Sequence, residues 1–269
     1  MNTECVSVDG LSVSYLSSTG RLEALRNVSF KVYDGEFVTI VGPSGCGKTT
    51  LLNAIAGLLT FRKDVLMDGK VFVKNARSIG YVFQRDALLP WRTVIDNVAL
   101  GLEIRKFPKE KRKDIALGFL KMVGLEDYEN KYPRELSVGM RQRVALVRAI
   151  AYDPEIILMD EPLGSLDAQT RMALQDEVLM IHERTRKTVL MVTHDIAEAI
   201  ILSDRVLVMS SRPGSVKSEY FIELPKPRSA FSSRLEPEFN RLYRLILDDL
   251  KEGIRSGRQD LRERGRYGS

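Results

Sequence analysis

The stretch that most constrains this chain is Gly42-Pro43-Ser44-Gly45-Cys46-Gly47-Lys48-Thr49-Thr50, which satisfies the phosphate-loop pattern G-x-x-x-x-G-K-[ST] at every fixed position. Before it, Glu36-Phe37-Val38-Thr39-Ile40-Val41 is apolar and β-branched and reads as a buried strand. After it, Leu51, Leu52, Ile55, Ala56 and Leu59 mark one face of an amphipathic helix. The loop therefore has the strand-before, helix-after context that gives the pattern its meaning. Glycines let the backbone curl around an anion, so that N–H groups and a helix N-terminus face it with partial positive charge. Lys48 brings a full charge to β- and γ-phosphates, and the Thr49 hydroxyl suits Mg²⁺.

Composition sets wider bounds. The 269 residues suffice for one large domain or two small ones, and 44% hydrophobic with 29% charged residues is ordinary for a soluble globular chain. No run approaches the roughly 18 apolar residues of a membrane span. The polar start, Met1-Asn2-Thr3-Glu4-Cys5, lacks the layout of a secretory leader, so the chain is expected in the cytosol. A disulfide at Cys46 would obstruct the loop, so Cys46 and Cys5 are expected as thiols, and neither has metal-site spacing. The net charge of +5 suits a nucleotide, an anionic membrane surface or nucleic acid without choosing among them. No basic–aromatic platform for nucleic acid stands out.

In chain order, residues 4–33 alternate polar and apolar around Ser17-Ser18-Thr19-Gly20, which predicts antiparallel strands, with Tyr15 a partly exposed aromatic among them. Val65 to Val73 reads as a hairpin turning at Asp68-Gly69. A short strand from Ile79 ends just before Gln84. Residues 85–151 then read as a mostly helical insert: Thr93-Val94-Ile95-Asp96 resembles a capping box, and a charged helix from Lys109 to Met122 stops at Gly124. Ile156-Ile157-Leu158-Met159 is a buried strand that ends in Asp160-Glu161. A helix from Ala168 to about Lys187 follows, then a strand Thr188–Thr193 ending at His194-Asp195, and a last strand Arg205–Met209. Strand–helix alternation predicts a mainly parallel α/β sheet whose ligand sits at the carboxyl ends of the strands, where Gln84, Asp160, Glu161 and His194 all fall. Phe239, Leu242, Tyr243, Ile246 and Leu250 predict a C-terminal helix packed on its own domain. Residues 251–269, with six Lys/Arg against three acidic residues, read as a mobile, solvated tail.

These pieces, with Leu136-Ser137-Val138-Gly139-Met140-Arg141-Gln142-Arg143 and Thr193-His194-Asp195 in order, resemble an ABC transporter ATP-binding subunit over roughly residues 4–225. Leu88-Leu89-Pro90-Trp91-Arg92-Thr93, Leu163-Gly164-Ser165-Leu166-Asp167-Ala168-Gln169-Thr170-Arg171 and Ser211-Arg212-Pro213-Gly214 resemble a narrower branch, the importer ATPases for nitrate, sulfonates, taurine, bicarbonate and thiamine precursors. The resemblance implies a P-loop NTPase α/β fold with a RecA-like core sheet, an N-terminal antiparallel β subdomain and an inserted helical subdomain. It bounds an ATPase domain at 4–225, its helical insert at 85–151, and a C-terminal helix with basic tail at 226–269.

The resemblance also implies roles. Tyr15 would stack on adenine, and Gly42, Pro43, Ser44, Gly45, Cys46, Gly47, Lys48, Thr49 and Thr50 would hold the triphosphate. Thr49, Gln84 and Asp160 would reach Mg²⁺, with Gln84 also linking to the membrane subunit. Glu161 would be the general base and His194 the switch on γ-phosphate. Asp167 would organise the site of a partner copy, and Ser137 with Gly139 would meet the γ-phosphate held by that copy. Phosphoryl transfer is mainly positioning and charge neutralisation, so such a set suffices.

The family's usual Leu-Ser-Gly-Gly carries Val138 for its first glycine, and because β-branching restricts the backbone, slower hydrolysis is expected. The implied protein is the ATPase of a bacterial importer for a small solute. It would act as a pair of identical subunits on the cytoplasmic membrane face, attached through permease subunits and served indirectly by a solute-binding protein, without nucleic acid. Rival readings are the ATPase of an exporter or lipid-transport complex, a soluble ABC-type ATPase on ribosomes or nucleic acid, and a nucleotide-gated scaffold.

Overall fold

The computed structural model describes residues 3–18, 20–76, 78–164 and 166–264, and of 253–264 the backbone alone. In chain order the first elements are strands β1 (Glu4–Ser17), β2 (Gly20–Tyr33) and β3 (Phe37–Val41), helix α1 (Lys48–Ile55) and strand β4 (Val65–Val73). The middle holds β5 (Ile79–Val82), α2 (Val94–Val98), α3 (Leu100–Ile104), α4 (Lys109–Met122), α5 (Val138–Ile150), β6 (Ile156–Asp160) and α6 (Ala168–Thr185). The last part holds β7 (Thr188–Thr193), α7 (Ile196–Leu202), β8 (Arg205–Met209), β9 (Val216–Phe221) and α8 (Pro237–Arg264). These elements divide into two compact units, one of Met1–Ala76 with Thr188–Ser269, the other Arg77–Lys187.

In the first unit β3 lies between β7 and β8 in parallel register, with Val41 opposite Thr193 on one side and Val208 on the other. All three strands are buried along their length, as strands covered on both faces must be. The register brings the residues that follow β3 and β7, Gly42 and His194, to one end of the sheet. Strand β9, absent from the sequence reading, pairs antiparallel with β8. A second sheet runs β2-β1-β4, antiparallel throughout. Here the structure corrects the hairpin expected at Asp68-Gly69: β4 is one continuous strand, and that dipeptide lies where β1 bulges between Asp9 and Ser12. Pairing with β1 overrides the local turn preference.

The C-terminal helix α8 buries Phe239, Leu242 and Ile246 and packs on α7, β8 and β9. It is also tied to β9, where the Tyr220 hydroxyl donates to Asp249 at 2.7 Å and Ser218 makes a further bond to the same carboxylate. Burial and then Asp249 push the Tyr220 phenol up to about 12. The helix runs on to Arg264, so the solvated tail expected from Lys251 is helical that far, and residues 265–269 of that tail lie outside the described residues.

In the second unit β5 and β6 pair in parallel from Ile79 and Ile156 to Val82 and Met159, with α5 packed against β5. Val94, Val98 and Leu102 are buried, carried on two short helices, α2 and α3. Thr93 caps α2 by accepting from the Asp96 N–H. Helix α4 has the bounds read from sequence, and Gly124 follows with φ +66.

Candidate functional site

The first unit carries Tyr15, the phosphate loop and His194. After β3 the chain turns through Gly45 (φ +75) and Gly47 (φ +103), and Gly47 caps α1 without a side chain. A Cβ at Gly47 would lie 2.6 Å from Leu25 Cδ2 and 2.8 Å from the Ala24 carbonyl, so residue 47 must be glycine both for conformation and for space. Lys48 is 5% exposed, and its ammonium donates to the carbonyls of Gly42 at 2.9 Å and Pro43 at 3.2 Å, which holds the loop's curl from within. Thr49 is exposed in the first turn of α1. The Tyr15 hydroxyl meets Thr50 Oγ1 at 3.1 Å, joining β1 to that same turn. A loop of left-handed glycines, a buried ammonium and the N-terminus of α1 together form a cradle for an anion.

His194 is exposed one residue past β7. Its neighbour Asp195 caps α7 by accepting from the Glu198 N–H at 3.1 Å, and the Asp195 N–H donates to Thr193 Oγ1 at 3.1 Å. Gly42, Pro43, Ser44 and the His194 turn line a cavity of about 610 Å³ whose other wall is α8, through Tyr243, Leu247, Leu250 and Lys251. Sequence reading placed α8 on its own domain but not beside the phosphate loop. It also missed why Ser211-Arg212-Pro213-Gly214 matters. A Cβ at Gly214 would lie 2.0 Å from the Cys46 carbonyl, so this segment backs the loop directly. Cys5 and Cys46 are both buried, and neither is in a disulfide.

The second unit carries Gln84, Asp160, Glu161, Asp167, Ser137 and Gly139. Asp160, at the end of β6, is 5% exposed, and burial, followed by the Asp160 charge, pushes the Tyr81 phenol up. Glu161 follows with φ +44, a left-handed conformation that a non-glycine residue adopts only where its surroundings impose it. Its Oε2 accepts from the Gln84 amide at 3.4 Å, so the residues after β5 and β6 meet. The segment around Gln84 is pinned by two arginines of α5 that sequence reading left without roles. Arg141 donates to the Asp86 carboxylate and to the Leu136 carbonyl, each at 2.8 Å, and Arg148 donates to the carbonyls of Asp86 and Ala87. Burial lowers the Arg148 pKa.

Ser137 caps α5 by accepting from the Met140 N–H at 3.3 Å. Val138 is the first residue of α5 and Gly139 the second, packed so closely that a Cβ would meet Thr170 Cγ2 at 2.7 Å. Asp167 caps α6, its Oδ1 accepting from Gln169 and Thr170 N–H groups, and the Thr170 bonds lead in lowering its pKa. Ser165, within the segment that carries Asp167, lies outside the described residues.

In the same unit Tyr81, Phe83, Leu89, Ile104, Arg105 and Tyr152 line a mainly apolar cavity of about 450 Å³. Trp91 is exposed in the Leu88-to-Thr93 segment, and Ile104 is exposed at the cavity. Among the described residues no three His, Cys, Asp or Glu cluster as a metal site, and no helix is long and apolar enough to cross a membrane.

Residues 25–164 match the family profile described as ABC transporter. The chain is 48% identical over 93% of its length, and 92% of the other, to an uncharacterized ABC transporter ATP-binding protein of Methanocaldococcus jannaschii. It is 41% identical to an aliphatic sulfonates import ATP-binding protein of Bacillus cereus, covering 92% of this chain and 96% of that one. Among solved structures, a dimeric ATP-binding cassette in a post-hydrolysis state with ADP and Pi is similar at a TM-score of 0.70 and 35% identity, covering 81% of this chain and 99% of that one.

Proposed function

The chain belongs to the ABC transporter ATP-binding family, an ATPase coupled to transport with a P-loop NTPase fold, and from that premise we propose that it drives an importer for a small anionic or organic solute. Nitrate, a sulfonate, taurine or a thiamine precursor are the solutes in view. The observation that carries the import reading is the near full-length similarity to sulfonate import ATPases. The cassette at 4–225, with its helical insert at 85–151, is the engine in this proposal, and 226–269 an appended helix and tail.

The proposed roles fall to residues of both units. Tyr15 stacks on adenine, and residues 42–50 hold the triphosphate, with Lys48 neutralising charge between β- and γ-phosphates. Glu161 takes the proton of the attacking water, a contribution on the order of 10²–10⁴ in rate. Its 3.4 Å contact with Gln84 supports a shared task for those two residues. His194 contacts the γ-phosphate. A second copy presents Ser137 and Gly139 to that phosphate, and Asp167 organises the neighbouring copy's site.

Thr49, Gln84 and Asp160 offer oxygen donors, and Mg²⁺ bound by one or two protein oxygens plus phosphates fits a chain whose described residues hold no dedicated carboxylate cluster. The cation would add charge neutralisation at the phosphates.

The apolar cavity beside Tyr81 and Tyr152, with Trp91 and Ile104 exposed, supports docking of a permease at the cytoplasmic membrane face, and through it an indirect dependence on a solute-binding protein. The test is affinity purification from native membranes in mild detergent, with the co-purifying proteins identified. A multi-span permease and a solute-binding protein are expected, and the ligand of the latter names the cargo. Recovery with ribosomes, or with an export-type membrane protein and no binding protein, overturns the import reading.

A further inference from the structure

Resting on the reading of Tyr15 as the adenine platform, we propose that Arg62 is a positioning residue of the base site, a planar cation that backs the Tyr15 ring on the face opposite adenine. Arg62 lies in the turn between α1 and β4. That turn places the Arg62 guanidinium carbon 5.6 Å from the centroid of the Tyr15 ring, within the range of a cation held by the ring quadrupole. Arg62 is itself fixed, because Nε meets Asp64 Oδ1 at 3.0 Å and Nη2 meets Oδ2 at 2.5 Å, a two-point pairing that sets the guanidinium plane. The turn is stitched to β1 beside the aromatic, with the Leu16 N–H donating to the Asp64 carbonyl at 2.7 Å and Tyr15 in register with Val65.

Tyr15 is thus restrained twice, by Thr50 at its hydroxyl and by Arg62 over its face. A ring already immobilised loses less freedom when a purine stacks on it. The cation also draws electron density from the ring, which improves the opposite face for an electron-rich base. A lysine would supply charge but not the flat, two-point-anchored surface.

The test measures ATP binding and steady-state hydrolysis in the full chain. Arg62→Ala is expected to weaken ATP binding about 2- to 5-fold, the span of an exposed cation–π contact. KM should rise by more than kcat falls, and Arg62→Lys should lie between. In a Tyr15→Ala background Arg62→Ala should weaken binding no further, and inorganic tripolyphosphate, which has no base, should bind the wild type and Arg62→Ala alike. Unchanged or tighter ATP binding by Arg62→Ala, while Tyr15→Ala weakens it, overturns the role of Arg62 and leaves the platform standing. Unchanged ATP binding by Tyr15→Ala removes the platform and the proposal with it. If Arg62→Ala melts early, Arg62→Lys and Arg62→Gln carry the same measurements.

Discussion

Two segments of this chain lead into helices and carry glycines in a family motif, yet they meet opposite demands. At the phosphate loop the backbone itself is special: Gly47 stands at φ +103, hemmed in by Leu25 and the Ala24 carbonyl. At Leu136-Ser137-Val138-Gly139 the backbone is an ordinary helix start, with a serine cap and Val138 as the first helical residue, 44% exposed. Val138 is absent from the left-handed positions, so β-branching meets no forbidden conformation there. The slower turnover expected from backbone restriction therefore loses that cause and rests on side-chain bulk alone. A motif glycine is irreplaceable where the chain is left-handed and crowded, and negotiable where the chain is helical and open.

The sharpest way to break this contrast is Gly47→Ala. A left-handed non-glycine residue costs about 1–3 kcal/mol before the overlap with Ala24 is counted. Losing the preorganised donors of the loop should lower hydrolysis about 10²-fold or more, measured as kcat/KM. Near-normal activity would show the loop to be more pliant than its packing implies. Next comes Glu161→Gln, which tests whether the strained residue after β6 is the base. Turnover should fall about 10²–10⁴-fold while ATP binding persists and a dimer accumulates in size-exclusion chromatography. Normal hydrolysis would remove Glu161 from that role.

On the other side of the contrast, Ser137→Ala removes the cap of α5. It should destabilise the fold by about 1 kcal/mol, read as a drop of about 2–4 °C in Tm. An unchanged Tm would mean that the Met140 N–H finds another partner. Smallest of all, Val138→Gly should raise ATP turnover in the assembled transporter about twofold, equivalent to about 0.4 kcal/mol of barrier. Equal or slower turnover would show that the bulk of Val138 does not hinder the site.

Legibility in the sequence followed the range of the forces involved. Strands β3, β7 and β8 announce themselves as continuous apolar runs because both of their faces are buried, and the charged helix α4 ends at a glycine that stops it locally. Strand β9 did not announce itself. It alternates half-buried residues with exposed ones such as Lys217 and Glu219 beside a turn-rich stretch, and it exists because β8 offers it a partner. The hairpin expected at Asp68-Gly69 failed for the same reason in reverse, since pairing along β1 outweighed a local turn signal.

The candidate residues divide in the same way. The loop, the carboxylates at the end of β6 and the histidine after β7 could be listed from the chain alone, since each sits at a strand end whose position short-range pattern dictates. Their surroundings could not. The Gln84–Glu161 contact, the grip of Arg141 and Arg148 on residues 86 and 87, the backing of the loop by Gly214 and the seat of α8 beside the loop all join residues far apart in sequence. The sequence by itself determined which candidate groups this protein can offer to a phosphate, because glycine, lysine and carboxylate chemistry is local to the residue. Tertiary structure alone decided which of them are held rigid, because packing and hydrogen bonding across many residues set where a backbone can yield.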